Sequence, residues 1–184
     1  EVLTFSRLAD RVFSEVGGLA QQMLTPAGQL LTLQEAARRV QGGLSAWKGL
    51  ADKPELLQEA LRLIDECKTC AVAPETLFAA AEESEDAVLA EKLSDLAQIL
   101  TAYERLCEES LPDPRDRLTH LRDRLAESHT LDGAAVYLDG FLGFTVQESA
   151  VVDAMLAAGV PLSAAVTCDT DYPEIFLTGC KTVQ

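Results

Sequence analysis

The chain has 184 residues and a mass of 19.8 kDa, which suits one compact domain or one domain carrying an insertion. Thirty acidic against 15 basic side chains give a net charge of −15, and an apolar content of 48% excludes wholesale disorder. No apolar run approaches the roughly 20 residues of a bilayer helix, and five cysteines without a secretory signal point to a reducing, cytoplasmic compartment rather than a disulfide framework. With Glu1 first and no stop signal before Gln184, the sequence reads as part of a longer chain.

Val2-Leu3-Thr4 is short, apolar and β-prone and reads as the end of a strand. Leu8, Val12 and Val16 then recur every four residues with Phe13 beside them, and Gly17-Gly18 supply a stop, which predicts a helix. Thr25 as cap and Pro26 at the first helical position open a second helix to about Gln41, before Gly42-Gly43. Asp52 and Pro54 open a third, through Leu57, Ala60 and Ile64 to about Cys70, and Pro74 starts a short fourth. Leu89, Leu93, Leu96, Leu100, Tyr103 and Cys107 form the longest periodic run, predicting a helix from about Ser84 to Glu109. Pro112 and Pro114 break it, and a last helix carries Leu118, Leu121 and Leu125 to about Ser128.

The pattern then changes. Ala134 to Leu138 is a continuous apolar run ending in Asp139-Gly140, as a buried parallel strand does. Thr145 and Glu148 form a capping box, Val151, Val152, Met155 and Leu156 a helix face, and Pro161 to Thr167 a second buried strand ending at Asp169. Strand, helix, strand is a βαβ unit. The predicted fold is therefore α/β with a large all-helical insertion, mostly helical by residue count. Residues 1–18 start the α/β core, 19–132 form the helical insertion (its periodic part 26–128), and 133–184 continue the core.

Charge is unevenly spread. Residues 50–111 hold five basic and fifteen acidic groups, the pattern of solvated helix faces or of a surface for a basic partner. Between Arg124 and Lys181 there is no basic residue, so that stretch is expected to be mostly buried or partner-covered.

Few motifs carry chemistry. Cys67-Lys68-Thr69-Cys70 is a lone CxxC with Cys107, Cys168 and Cys180 scattered, short of a zinc or cluster donor set, and reads as core or surface cysteine. His120 and His129 have no nucleophile–acid partners in the pattern and read as structural or exposed. Gly179-Cys180-Lys181-Thr182 lacks the glycine before the lysine and the one five residues earlier, where Cys180 and Ile175 stand, so it is no phosphate loop. Val136-Tyr137-Leu138-Asp139 resembles the strand that delivers a magnesium-binding aspartate in P-loop enzymes. Superfamily 1 helicases follow that aspartate with a glutamate base; here Gly140 follows, so Asp139 is at most a degenerate form of the motif. No catalytic and no metal-ligating residue is expected.

Two stretches go further. Residues 2–13, Val-Leu-Thr-Phe-Ser-Arg-Leu-Ala-Asp-Arg-Val-Phe, followed by Glu15-Val16-Gly17-Gly18, resemble the start of a segment in AddB/RexB proteins, the B subunits of bacterial ATP-dependent helicase/deoxyribonucleases. Residues 137–148 resemble that family's DGF-x-x-FTPQE stretch, with Val146 where proline is usual. The resemblance covers essentially the whole chain, more loosely in its helical middle. It implies the helicase-like region of such a protein: a truncated P-loop helicase-like core, starting just after the phosphate loop. In the family this region has lost helicase motifs and recognises a recombination hotspot in single-stranded DNA. The whole AddB-type protein, by the same resemblance, is an ATP-dependent exonuclease component with ATP, magnesium and a 4Fe-4S cluster. It forms a heterodimer with the helicase–nuclease A subunit to process double-strand breaks. The cluster cysteines belong elsewhere in the family, so Cys67 and Cys70 inherit nothing from them. The hotspot contacts it implies are Phe5, Arg7 and Phe141, while Asp10 stands where an aromatic often follows that arginine. Aromatic faces stack unpaired bases, and a guanidinium bonds base edges or phosphates.

Two other classes compete. One is an acidic helical interaction module in which residues 50–111 dock a partner and no DNA is touched; the other is a free-standing metal-dependent enzyme using Asp139 and Asp169. Phe5, Arg7 and Phe141 gathered on one exposed surface would favour DNA contact, and burial of both aromatics would favour the interaction module.

Overall fold

The structure is a computed structural model that describes residues 1–166. Asp169, Cys168, Cys180, the Gly179-to-Thr182 stretch and the last residue of the second predicted strand, Thr167, lie outside the described residues. The chain divides into two compact units, residues 22–116 and residues 1–21 with the chain from 117 on.

The unit of residues 22–116 is helical. Its helices are α2 (Pro26–Val40), α3 (Pro54–Thr69), α4 (Pro74–Glu83) and α5 (Ala87–Glu109). Their starts follow local chemistry. The Thr25 hydroxyl accepts from the Gly28 N–H at 3.1 Å, and Asp86 accepts from the N–H groups of Val88 and Leu89. On α5 the predicted stripe is the buried one from Leu96 through Leu100 and Tyr103 to Cys107, while Leu89 at its start is exposed. It packs against α2 and α4, closing over Leu33, Ala36, Ile64 and Leu77.

Buried polar groups tie the connecting segments to this core. Asp95, 2% exposed, accepts from the Ser45 and Trp47 N–H groups at 2.9 Å each, holding the loop after α2. Asp113, fully buried, accepts from Gln29 Nε2 at 2.8 Å, the Tyr103 hydroxyl at 2.8 Å and the Arg115 N–H at 3.0 Å. Lys68 Nζ reaches both carboxylate oxygens of Asp116 at 2.6 and 2.7 Å. The Leu24 N–H donates to the Pro112 carbonyl at 3.0 Å, so the chain comes into this unit and leaves it side by side, as an inserted domain must.

The other unit contains α1 (Phe5–Val16), α6 (Arg117–Arg124), β1 (Val136–Phe141), α7 (Val146–Ala157) and β2 (Leu162–Val166). Its core joins Leu8, Ala9, Val12 and Phe13 of α1 with Leu121, Leu125, Val151 and Met155. Arg124 closes the C-terminal end of α1, donating to the carbonyls of Gly17, at 2.9 Å, and Val16. Arg117 pairs with Asp10 and lies over the Phe13 ring, 5.4 Å from its centroid. The chain thus divides at 21/22 and 116/117 rather than at 18/19 and 132/133. The segment from 117 to 128, assigned from periodicity to the helical insertion, packs with α1 and α7 instead. Its Leu121 and Leu125 face a different core from the one the preceding helices build.

Two further expectations change. Val2-Leu3-Thr4 is not a strand: Thr4 is extended but finds no ladder partner among the described residues, and its hydroxyl accepts from the Arg7 N–H at 3.3 Å as the cap of α1. The strand after residue 134 is parallel to its partner, as expected, but not buried throughout. Leu138 is buried and Tyr137 is 77% exposed, because among the described residues the sheet has two strands and helices cover only one of its faces. Leu142, 70% exposed in the basic-free stretch, is likewise left uncovered by the described residues.

Candidate nucleic-acid interface

The site begins with a bulge. β1 and β2 pair Leu138 with Ala164 and Phe141 with Val166, so two residues, Asp139 and Gly140, stand opposite the single Ala165. Side chains alternate along a strand, and without an extra residue Phe141 would share the face of exposed Tyr137. The extra residue returns it to the face of Leu138, toward α1. Gly140 makes this possible with φ of +78°, a conformation a side chain disfavours.

Phe5 comes from the other side, as the first residue of α1, its place set by the Thr4 cap. The Phe5 and Phe141 rings meet edge to face, with centroids 5.7 Å apart and planes at 64°. A third ring, Phe144, lies 4.9 Å from Phe141 and 6.3 Å from Phe5. All three are half-buried. The cluster sits where β1 ends and α1 begins; open α/β folds bind ligands at the carboxyl ends of parallel strands.

The predicted residues are thus brought together in part. Phe5 and Phe141 touch. Arg7 does not join them: two positions on from Phe5 it lies about 200° round α1, exposed, on the side opposite buried Leu8, Ala9 and Val12. No described residue pairs with its guanidinium. A strand touching both groups has to cross the first turn of α1. Asp10, one turn beyond Arg7, is held by Arg117.

Asp139 lies exposed in the bulge. Among the described residues no three His, Cys, Asp or Glu side chains are grouped as they would be around a metal held by the protein alone. Cys67 is buried on α3 and Cys70 exposed at its end, a donor pair short of any cluster set, and burial pushes the Cys67 thiol up from its ordinary value. Cys107 is likewise pushed up to about 11, mainly by burial. His129 is exposed, and its ring nitrogen lies 2.8 Å from Asp132, which raises its pKa above the usual histidine value. These groups stabilise or decorate the fold and form no reactive constellation among the described residues.

Two features of the site have little signal in the sequence. Phe144 lies inside the stretch that suggested the family, and its signal is its position: three residues after Phe141 and immediately before the cap of α7. The Asp139-Gly140 bulge had only the glycine to announce it.

The helical unit of residues 22–116 falls in sequence between α1 and α6 of the other unit, which holds a continuous parallel strand–helix–strand segment with an aromatic cluster at its strand end, an arrangement of the kind seen in α/β domains that carry a helical insertion. The comparisons narrow this. The family described as ADDB, N-terminal, matches residues 1–177, and the chain belongs to it. Similar proteins include the B subunit of the ATP-dependent helicase/deoxyribonuclease of Desulforudis audaxviator (strain MP104C), 38% identical over 92% of this chain and 15% of its own length. The B subunit of Thermoanaerobacter sp. (strain X514) is 31% identical over 99% of this chain and 16% of its own length. Its counterpart in Caldanaerobacter subterraneus subsp. tengcongensis is 32% identical over 100% of this chain. The chain spans about 16% of the length of these curated relatives.

Proposed function

We propose that this chain is a non-catalytic, helicase-like segment of an AddB-type protein, acting in double-strand-break repair by homologous recombination. Its part is to help recognise single-stranded DNA and, within it, a recombination hotspot. The observation that carries this reading is the meeting of Phe5 and Phe141, from opposite ends of the intervening helical lobe in sequence, as half-buried rings at the carboxyl end of β1. Ring faces there suit unpaired bases, and the exposed Arg7 suits a phosphate or a base edge. The α/β unit is a truncated P-loop helicase-like core in this reading. Hydrolysis of ATP is not assigned to it, because Gly140 follows Asp139 where a base is needed. ATP, magnesium, the 4Fe-4S cluster and the exonuclease belong to the whole AddB-type protein, which pairs with a helicase–nuclease A subunit in the cytoplasm. No helix among the described residues is long and apolar enough to cross a membrane.

With a net charge of −15 the isolated chain binds single strands weakly, since phosphate neutralisation dominates such affinities. The test is therefore made in the assembled enzyme, as hotspot-dependent attenuation of DNA degradation. Phe141→Ala removes a stacking platform worth about 1–3 kcal/mol per base and lowers attenuation. Arg7→Ala lowers it more for the correct sequence than for random DNA if Arg7 reads a base edge, and equally for all if it holds a phosphate. Folded variants that both attenuate as wild type does would refute the assignment.

A further inference from the structure

We propose that Phe144 is a positioning residue for the Phe141 ring, fixing the orientation in which that ring receives a base. This rests on the reading of Phe141 as a stacking platform. Phe141 is the last residue of β1, followed by exposed Leu142, so its own backbone leaves the sheet at that point. Phe144 is anchored one residue further on. The Thr145 N–H donates to Glu148 Oε2 at 2.8 Å and the Glu148 N–H donates to Thr145 Oγ1 at 3.2 Å, the two halves of the capping box of α7.

A hydrophobic residue just before such a cap ordinarily packs on the fourth residue of its own helix. Here that residue is Ser149, which offers no apolar partner. The Phe144 ring turns to the cluster instead. It lies 4.9 Å from Phe141, planes tilted by 38°, and 6.3 Å from Phe5 with planes at 87°. Aromatic pairs at these separations constrain each other's orientation. Phe141 is therefore held between a ring at the start of α1 and a ring locked to the start of α7, while its own strand end contributes the bulge that aims it. A platform stacks a base best if its plane is fixed beforehand; a ring free to turn about χ1 and χ2 loses that advantage on binding.

The experiment uses the full-length protein in its complex and a thymidine oligonucleotide carrying one 2-aminopurine, whose fluorescence falls when the base stacks. Phe141→Ala is expected to weaken binding about 5- to 150-fold and to abolish the quench. Phe144→Leu keeps an apolar side chain and loses the ring. It is expected to lose most of the quench while the dependence of affinity on salt, which counts phosphate contacts, stays as in wild type. Phe144→Tyr keeps the ring and is expected to retain the quench. The double variant Phe141→Ala/Phe144→Leu is expected to be no worse than Phe141→Ala alone.

Wild-type quench in folded Phe144→Leu, or loss of it in folded Phe144→Tyr, overturns the positioning role and leaves the Phe141 platform standing. Losses that add in the double variant also overturn it, since Phe144 would then be a platform of its own. If Phe141→Ala binds and quenches as wild type, the platform itself fails and the inference with it. Should Phe144→Leu not fold, Phe144→Tyr and a fluorine label on a Phe144 ring in otherwise unchanged protein decide: its resonance must move both on oligonucleotide binding and in Phe141→Ala, and a resonance indifferent to Phe141→Ala overturns the proposal.

Discussion

The helical unit and the α/β unit spend their polar groups in different ways. In the helical unit the polar groups go inward: Asp95 and Asp113 are buried, each accepting several hydrogen bonds that fasten loops to helices. The described residues of the α/β unit bury no such polar side chain. Both units leave apolar groups outside, Leu31 and Val88 in the helical one, but in the α/β unit Tyr137 and Leu142, 77% and 70% exposed, flank a half-buried aromatic cluster on the sheet. The difference teaches where to look for contact. A unit whose polar groups are satisfied internally is a self-sufficient body, whereas a parallel sheet that the described residues leave uncovered on one face has surface for something else.

The largest expected effect lies in the helical unit. Asp113→Ala removes the shared acceptor of Gln29, Tyr103 and the Arg115 N–H from a fully buried position, and should cost about 3–5 kcal/mol. Trp47, the one tryptophan, lies in that unit and reports its unfolding in urea. Next, Leu100→Ala and Met155→Ala each empty a site that is at most 1% exposed, for about 2–5 kcal/mol apiece. The two belong to separate buried groups. Only Leu100→Ala should move the Trp47 transition, while Met155→Ala should appear in the far-ultraviolet signal. A common shift from both would break the comparison of two bodies.

Gly140→Ala comes third. Nothing lies within 4 Å of the added methyl, so its cost is conformational, about 1 kcal/mol for φ of +78°. Thermal melting should fall slightly, and the base-stacking signal should fall much more, because the bulge aims Phe141. The smallest effect is a pH dependence. Glu15 accepts from the Ser128 hydroxyl, the His129 N–H and the Thr130 hydroxyl, which lower its pKa from 4.5 to about 2. Its contribution is present above pH 4.5 and is lost as pH falls through about 2. His129 is shifted the other way, up from 6.5, so its pairing with Asp132 contributes below that pH and is lost as pH rises through the raised value. Glu15→Gln should lower the urea midpoint slightly at neutral pH and flatten the acid side of its plot against pH, the two curves converging as pH falls through about 2.

Much of the fold was legible in the sequence because local chemistry decides it. Thr25-Pro26 and the Thr145–Glu148 box each start a helix through their own side chains, and the α5 stripe names its own core, though α5 starts after an Asp86 cap rather than at Ser84. What local pattern does not encode is allegiance. Leu118, Leu121 and Leu125 announce a helix but not which core it joins, and Val2-Leu3-Thr4 announces extended backbone but not whether a partner strand exists. Nothing local announces the burial of Asp113, which depends on donors arriving from Tyr103, ten residues earlier, and Gln29, 84 residues earlier. In the candidate site, Phe5 and Phe141 came from resemblance, and the residues between them carry no signal that the two rings meet. Arg7 shared their motif without sharing their side of α1.

The central claim is that single-stranded DNA lies on the Phe5–Phe141 cluster, and photochemical cross-linking tests it most directly. The full-length protein in its complex is irradiated with an oligonucleotide carrying 5-iododeoxyuridine, and the joined peptides are mapped by mass spectrometry. Adducts are expected on the peptides of Phe5 or Phe141, lost with Phe141→Ala. Adducts of this chain confined to the helical unit, residues 22–116, with none at either ring, would contradict it.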